Sequence, residues 1–201
     1  MIMTQHDLEL LRQYQPKLNE EPSSLSAAVA IVLRDGDDGT EFLLMQRAKH
    51  DADPWSGQMA FPGGKVETSD VSRRAAAMRE TAEELSVDLK DEDYIGQIDD
   101  IYGNNISSKA SLHLSCFIFK PKRKLSPLGN HEVADIVWLS ASYLNDAKNE
   151  HEFFHPKDSS LRMPAVMIDS DKKQILWGLS LRMIQRLFEI VGKPLSTAIK
   201  S

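Results

Sequence analysis

Between Phe61 and Val87 the chain reads FPGGKVETSDVSRRAAAMRETAEELSV, and this stretch constrains the fold more than any other. "MAF", from Met59, reads as a short strand running into Pro62, and Gly63 with Gly64 reads as a sharp turn. From Asp70 to Leu85 the residues Ala75, Met78, Ala82 and Leu85 recur at spacings of 3, 4 and 3, which is the repeat of one helical face. A strand, a glycine turn and a helix therefore follow one another in a single unit.

The end of that helix is unusual in charge. Arg79, Glu80, Glu83 and Glu84 fall within six residues, and on a helix Glu80 faces both Glu83 and Glu84. Like charges at these spacings destabilise an isolated helix by roughly 0.2–0.5 kcal/mol per pair. Arg79 offsets part of the repulsion. A hard divalent cation, which prefers oxygen ligands, offsets it more fully. Glycine lets a backbone approach a ligand closely, so the Gly63-Gly64 turn offers a carbonyl as a further hard ligand. Magnesium binds through a few carboxylates together with substrate phosphates, which is the chemistry such a cluster suits. A glutamate-rich helix alone is most often a solvated face. Here a proline, a glycine pair, Asp70 and the Arg-Glu-x-x-Glu-Glu block stand in order, and that combination points to chemistry.

The rest of the composition narrows the setting. A chain of 201 residues, 41% hydrophobic and 27% charged, suits one soluble domain with attached termini. A net charge of -6 argues against gripping nucleic acid phosphates, and an acidic protein that binds anions recruits a cation to do so. The one cysteine, Cys116, excludes an intramolecular disulfide and a multi-cysteine zinc cluster, and it fits a reducing compartment. No segment approaches the roughly 18 apolar residues of a membrane span, and MIMTQHDLELLRQYQ lacks a leader pattern. The expectation is a cytoplasmic protein without a membrane anchor.

Along the chain, Thr4 with Asp7 predicts a capped N-terminal helix over residues 4–14, and Pro16 and Pro22 mark a linker. AAVAIVLR from Ala27 and EFLLMQRA from Glu41 read as a hairpin around DGDDGT. Residues 48–58 read as a surface loop. YIGQIDDIY, SLHLSCFIFKP and EVADIVWLS read as strands, with Ser140 capping a short helix. Asn145 to Lys173 reads as surface loop. QILWGLSLRMIQRLFEIVG reads as a helix with Trp177, Leu181, Ile184, Phe188 and Val191 on one stripe, ended by Gly192.

The box resembles that of the Nudix hydrolases, G-x5-E-x7-R-E-U-x-E-E-x-G-U with U apolar. Gly64, five residues, Asp70, eight residues and RETAEELSV from Arg79 align with it. Asp70 replaces a glutamate, one residue is inserted before Arg79, Thr81 stands where an apolar residue is usual, and Ser86 replaces the final glycine. The resemblance implies an α/β/α sandwich around a mixed β-sheet and hydrolysis of a diphosphate bond in a nucleoside diphosphate derivative. It implies that Glu80, Glu83 and Glu84 bind Mg2+ or Mn2+, that the Gly64 carbonyl adds a ligand, and that Arg79 orients the glutamates. Residues 1–24 are then an N-terminal helix and linker, and 25–201 the Nudix domain with its C-terminal helix.

The insertion, AMRE at Ala77–Glu80, LLMQRA, FPGGK, EVADIVWLS and ILWGLSLRM are similar to the coenzyme A pyrophosphatase branch, although Ala52 stands where that branch carries a second arginine. Coenzyme A or its thioesters lead the substrate expectation. ADP-ribose, nucleotide sugars and nucleoside triphosphates are alternatives, as are a non-catalytic nucleotide sensor and an acidic interaction protein. Glu83 or Glu84 is the candidate base, with Glu132 an outside candidate read mainly as a loop residue. Arg47 is a candidate for substrate phosphate, since a guanidinium binds phosphate bidentately. Trp55 is a candidate for stacking on a base, with a lid residue packed on the core as its alternative. His50, His113 and His131 form no ligand pattern. The apolar faces of the terminal helices offer surface for a homodimer.

Overall fold

Small and β-branched residues in AAVAIVL build the central strand. In the computed structural model, which describes residues 2–18, 25–50, 55–104, 111–155 and 158–195, β1 (Leu25–Gly36) is buried at every position from Ala28 to Leu33. That is the pattern of a strand covered on both faces. It turns back into β2 (Gly39–Arg47), but the hairpin ladder lasts only from Leu33 opposite Phe42 to Gly36 opposite Gly39. The two strands then part.

Met59 to Lys65 enters the fork. β3 (Met59–Ala60) pairs with β2 at Met45 and Gln46, and β4 (Gly63–Lys65) pairs with β1 from Ala27 to Val29. Between them the Pro62 carbonyl accepts the Ala30 N–H at 2.9 Å. The glycine turn expected from the sequence is thus corrected: Gly63 and Gly64 lie in a strand that closes an open edge.

The sheet grows outward from this pair. β7 (Ser111–Phe119) runs parallel to β1, β5 (Tyr94–Gln97) and β6 (Ile101–Asn104) both run antiparallel to β7, and β8 (Val133–Ser140) pairs with β2. The result is a mixed sheet of eight strands. YIGQIDDIY, expected as one strand, is broken because Asp99 leaves the ladder to receive the Tyr14 hydroxyl (2.8 Å), the Lys17 N–H (2.7 Å) and Arg186 Nε (2.8 Å).

Helices cover both faces, as an α/β/α sandwich requires. α2 (Arg73–Leu85) packs Ala76, Ala77 and Leu85 on Ala28, Ala30, Leu43, Met45 and Phe117. On the other face α1 (Gln5–Gln13), α3 (Ala141–Leu144) and α4 (Gly178–Ile190) pack on Ile31, Leu33, Phe42, Leu44 and Ile118. The expected caps are present: Thr4 and Asp7 form a capping box, and the Ser140 hydroxyl accepts the Tyr143 N–H. Among the described residues no helix is long and apolar enough to cross a membrane.

Three expectations are corrected. α2 starts at Arg73 under a Ser72 cap, and its buried face runs through Ala76, Ala77, Thr81, Glu84 and Leu85, while Ala82 is exposed. The helix is rolled so that a glutamate points inward. The segment from Asn145 to Lys173 forms β9 (Glu150–His155) and β10 (Asp158–Asp169), which with β11 (Gln174–Trp177) make a second, three-stranded antiparallel sheet. Among the described residues its fully buried apolar side chains are only Ala165, Val166 and Leu176, and its one apolar run, Met163 to Ile168, is set in an otherwise polar stretch. Trp177 ends β11 instead of joining the helical stripe, and it stacks on Phe153 at 4.4 Å beside the buried Ala165. The linker residues 19–24 and loop residues 51–54 lie outside the described residues.

Ser86, where the family glycine is replaced, caps α2 in the left-handed region at φ 54. That conformation costs an L-residue roughly 1–2 kcal/mol, part of which a glycine loses again through unfolded-chain entropy. Ser86→Gly is expected to raise the melting temperature by about 1–4 °C in a calorimetric scan. An unchanged or lower melting temperature contradicts this.

Candidate active site

The site begins with two glycines that make room for different things. Gly63 has φ 149, and a Cβ there would collide with the Ala28 carbonyl oxygen and Val29. Gly64 lies under α2, and a Cβ on it would come within 2.5–2.7 Å of the Glu80 carboxylate atoms. The Gly63 N–H donates to Glu84 Oε2 at 2.8 Å. Glu80 and Glu84, one turn apart, therefore both rest on β4.

Arg79 gathers the other acids. Its Nε and Nη2 bind Asp70 bidentately at 3.0 and 3.1 Å, and Nη1 reaches Glu80 Oε1 at 3.0 Å and Glu83 at 3.3–3.4 Å. Nη2 also donates to the Lys65 carbonyl at 3.2 Å. Asp70 lies just outside the helix, and the hydrogen bonds from Arg79 hold its carboxyl below the usual range. The same partners raise Arg79 above its ordinary value, Asp70 first among them. At this position the acid serves the arginine.

Glu84 is 3% exposed, and burial pushes its carboxyl up to about 8 in the metal-free chain. The Gly63 N–H and Arg47, whose Nη1 is 3.8 Å from Oε1, oppose that shift, while the charges of Glu80 and Glu132 add to it. Burial also raises Glu80, against Arg79 and with help from Glu83 and Glu132. A buried carboxylate among other acids is costly when ionised without a cation.

The predicted site residues separate into two groups. Glu80, Glu83, Glu84, Arg79, Gly64 and Arg47 are brought together. Trp55 is half-buried and packs against the core on the α4 side of the sheet. Glu132, read mainly as a loop residue, stands where its charge is felt by Glu80 and the buried Glu84, and its carbonyl accepts the Ala48 N–H at 2.7 Å. His113 is fully buried at the other end of α2, 2.7 Å from Asp100 Oδ2 and 3.1 Å from Arg73. Asn130, absent from the residues expected at the site, joins Glu132 to α2 through its side-chain amide. An asparagine two residues before an acid that leads into a strand was its only signal.

Among the described residues no three His, Cys, Asp or Glu side chains form a finished metal cage. The donor set nevertheless fits a hard divalent ion. The ligands on offer are all oxygen, Gly64 provides a cradle that a Cβ would fill, and Glu84 is a buried carboxylate in need of a counter-charge. Glu80, Glu83 and Glu84 with the Gly64 carbonyl are the residues that would hold it.

Residues 24–157 match the NUDIX domain model. The chain belongs to the Nudix hydrolase family. It is 38% identical over 157 residues to the uncharacterized Nudix hydrolase NudL of Shigella flexneri serotype 5b, covering 66% of this chain and 79% of that one. It is 29% identical over 179 residues to the probable nudix hydrolase C6G9.05 of Schizosaccharomyces pombe, covering 87% of this chain. The chain spans 60% of the length of that relative and 40% of another from the same yeast. The fold is similar to the crystal structure of a MutT/nudix family protein from Enterococcus faecalis, with a TM-score of 0.60, 18% identity, and coverage of 93% of this chain and 68% of the other.

The raised Glu84 carboxyl has a defined consequence for stability. The folded chain holds this proton up to about pH 8, whereas the unfolded chain releases it near the ordinary glutamate value of 4.5. The proton's stabilising contribution is therefore full below pH 4.5 and is lost as pH rises through the interval to about 8. Glu84→Gln is expected to raise the melting temperature of metal-free protein more at pH 8 than at pH 5. Equal effects at both pH values would contradict the raised carboxyl.

Proposed function

We propose that this protein hydrolyses the diphosphate bond of a nucleoside diphosphate derivative with Mg2+ or Mn2+, and that coenzyme A or its thioesters are its first substrates. The observation that carries the reading is the buried Glu84 held on the Gly63 amide beside Glu80, Arg79 and Arg47. The preference for coenzyme A rests on the branch-like sequence segments alone. ADP-ribose, nucleotide sugars and nucleoside triphosphates are the alternative substrates.

A bound divalent cation supplies charge neutralisation on the diphosphate and makes the attacking water more acidic. The chain's own residues do the rest. Arg79, locked by Asp70, holds Glu80 and Glu83 in place, so their carboxylates are ordered before substrate arrives. Glu83 or Glu84 takes the proton of the attacking water. Arg47 sets its guanidinium toward the phosphate, beside Glu84. Trp55, in the loop that follows β2, packs on the core of the α4 side, as the lid alternative has it, and takes no part in this step.

The test is purified protein with Mg2+ or Mn2+ against coenzyme A, ADP-ribose, dinucleoside polyphosphates, nucleotide sugars and nucleoside triphosphates, with products resolved by chromatography. Release of 3',5'-ADP and phosphopantetheine from coenzyme A is expected, and Glu84→Gln is expected to lower kcat/KM by about 100-fold or more without loss of fold. Cleavage of another substrate alone would move the substrate assignment. Nucleotide binding without turnover would replace the enzyme by a sensor, and a fully active Glu84→Gln would remove that glutamate from the reaction.

A further inference from the structure

The loop in front of β8 is bound to the end of α2 by more than a helix cap needs. The carbonyls of a last helical turn have no partners inside the helix. Here the Leu85 carbonyl accepts the Leu128 N–H at 2.8 Å, and the Glu84 carbonyl accepts the Asn130 N–H at 2.9 Å. The Glu83 carbonyl takes its hydrogen bond from the Asn130 side chain, Nδ2, at 3.0 Å. Asn130 thus grips Glu83 and Glu84, two of the three residues of the box whose side chains are candidate metal ligands.

The other end of the same amide points the opposite way. Asn130 Oδ1 accepts the Glu132 N–H at 2.8 Å, and the Asn130 carbonyl accepts the Val133 N–H at 3.2 Å. This is the turn in which an asparagine side chain binds the backbone two residues on. Glu132 in turn holds the Ala48 N–H through its carbonyl at 2.7 Å, next to Arg47, which faces Glu84. The end of α2, the loop carrying Glu132 and the end of β2 meet at one side chain. An asparagine amide has both a donor and an acceptor for this, without adding charge.

Capping accounts for the hydrogen bonds to the Glu83 and Glu84 carbonyls, but not for the acceptor that the same amide gives to the Glu132 N–H. Asn130 is only half-buried, and its hydrogen bonds to Glu83 and Glu132 lie on the exposed side of the loop. Position does, because the Asn130 turn and the Glu132–Ala48 hydrogen bond fix this loop against the end of β2, where Arg47 stands 3.8 Å from Glu84, and from there the charge of Glu132 bears on Glu80 and Glu84.

We propose that Asn130 is a positioning residue for the divalent-cation site, setting the Glu132 carboxylate against Glu80 and Glu84 on α2. The proposal rests on the metal reading above. Its test is Mn2+ titration followed by electron paramagnetic resonance, on the full chain and on Asn130→Ala, Asn130→Ser, Glu132→Gln and the Asn130→Ala/Glu132→Gln double variant. Asn130→Ala is expected to weaken Mn2+ by about tenfold, the lower end for groups that orient metal ligands. Asn130→Ser keeps an acceptor for the Glu132 N–H but falls short of the Glu83 carbonyl, and it is expected to recover most of the affinity. In the Glu132→Gln background, Asn130→Ala is expected to do nothing further. With a substrate from the panel, the same variant lowers kcat and leaves KM unchanged.

Wild-type Mn2+ affinity in Asn130→Ala would overturn the proposal, and so would losses in the two single variants that multiply in the double one. Glu132→Gln with wild-type affinity would overturn it while leaving the glutamates of the box in place. Wild-type protein that takes up no Mn2+ at millimolar concentration would sink the metal reading itself, a separate result.

Discussion

The structure depends on the fork between β1 and β2. Where the two strands part, each exposes a row of backbone donors and acceptors inside the protein, and buried backbone groups must find partners. The segment from Met59 to Lys65 satisfies both rows in turn, first on β2 and then on β1. That places the Gly63 amide directly beneath α2, where it meets Glu84. The geometry of the candidate site is a by-product of closing a sheet.

Helix α2 gives up packing quality for this. A helix laid on a sheet normally turns its most apolar face inward, and the stripe through Ala75, Met78, Ala82 and Leu85 would have served. Instead Thr81 and Glu84 face the core, the threonine hydroxyl bonded to the Ala77 carbonyl at 2.7 Å. The helix is held from outside its buried face. Arg73 and Arg74 sit unfavourably at its positive N-terminal end, but each meets an acid, Asp100 at 3.7 Å and Asp91 at 2.8 Å. At the other end, Leu128 and Asn130 take the open carbonyls.

Elements whose signals are local could be read from the chain. The capping box at Thr4 and Asp7, the β1–β2 hairpin, β7, β8 and the Ser140 cap all follow from residues close in sequence. The second sheet could not be read, because β9 and β10 contribute few core side chains and their outer face is built around the Phe153–Trp177 stack. The placement of Trp177 on a helix failed for a related reason: a residue ending a strand and one starting a helix can fall on the same numerical period. The role of the glycines was misread because a glycine needed for close approach and one needed for a turn look alike in sequence.

The sequence by itself determined the chemical inventory: three glutamates and an arginine in the order of the family box, an acid at Asp70, and glycines ahead of the helix. Spacing along a helix also determined that these side chains are neighbours. Only the tertiary structure decided what each neighbour does. The roll of α2 turned Glu84 inward and left Glu83 more than half exposed, and Asp70 was spent on Arg79. Glu132 reached the cluster from a loop 48 positions beyond Glu84. The physical reason is that burial and long-range charge set how a carboxylate behaves, and both depend on groups brought close by folding rather than by sequence.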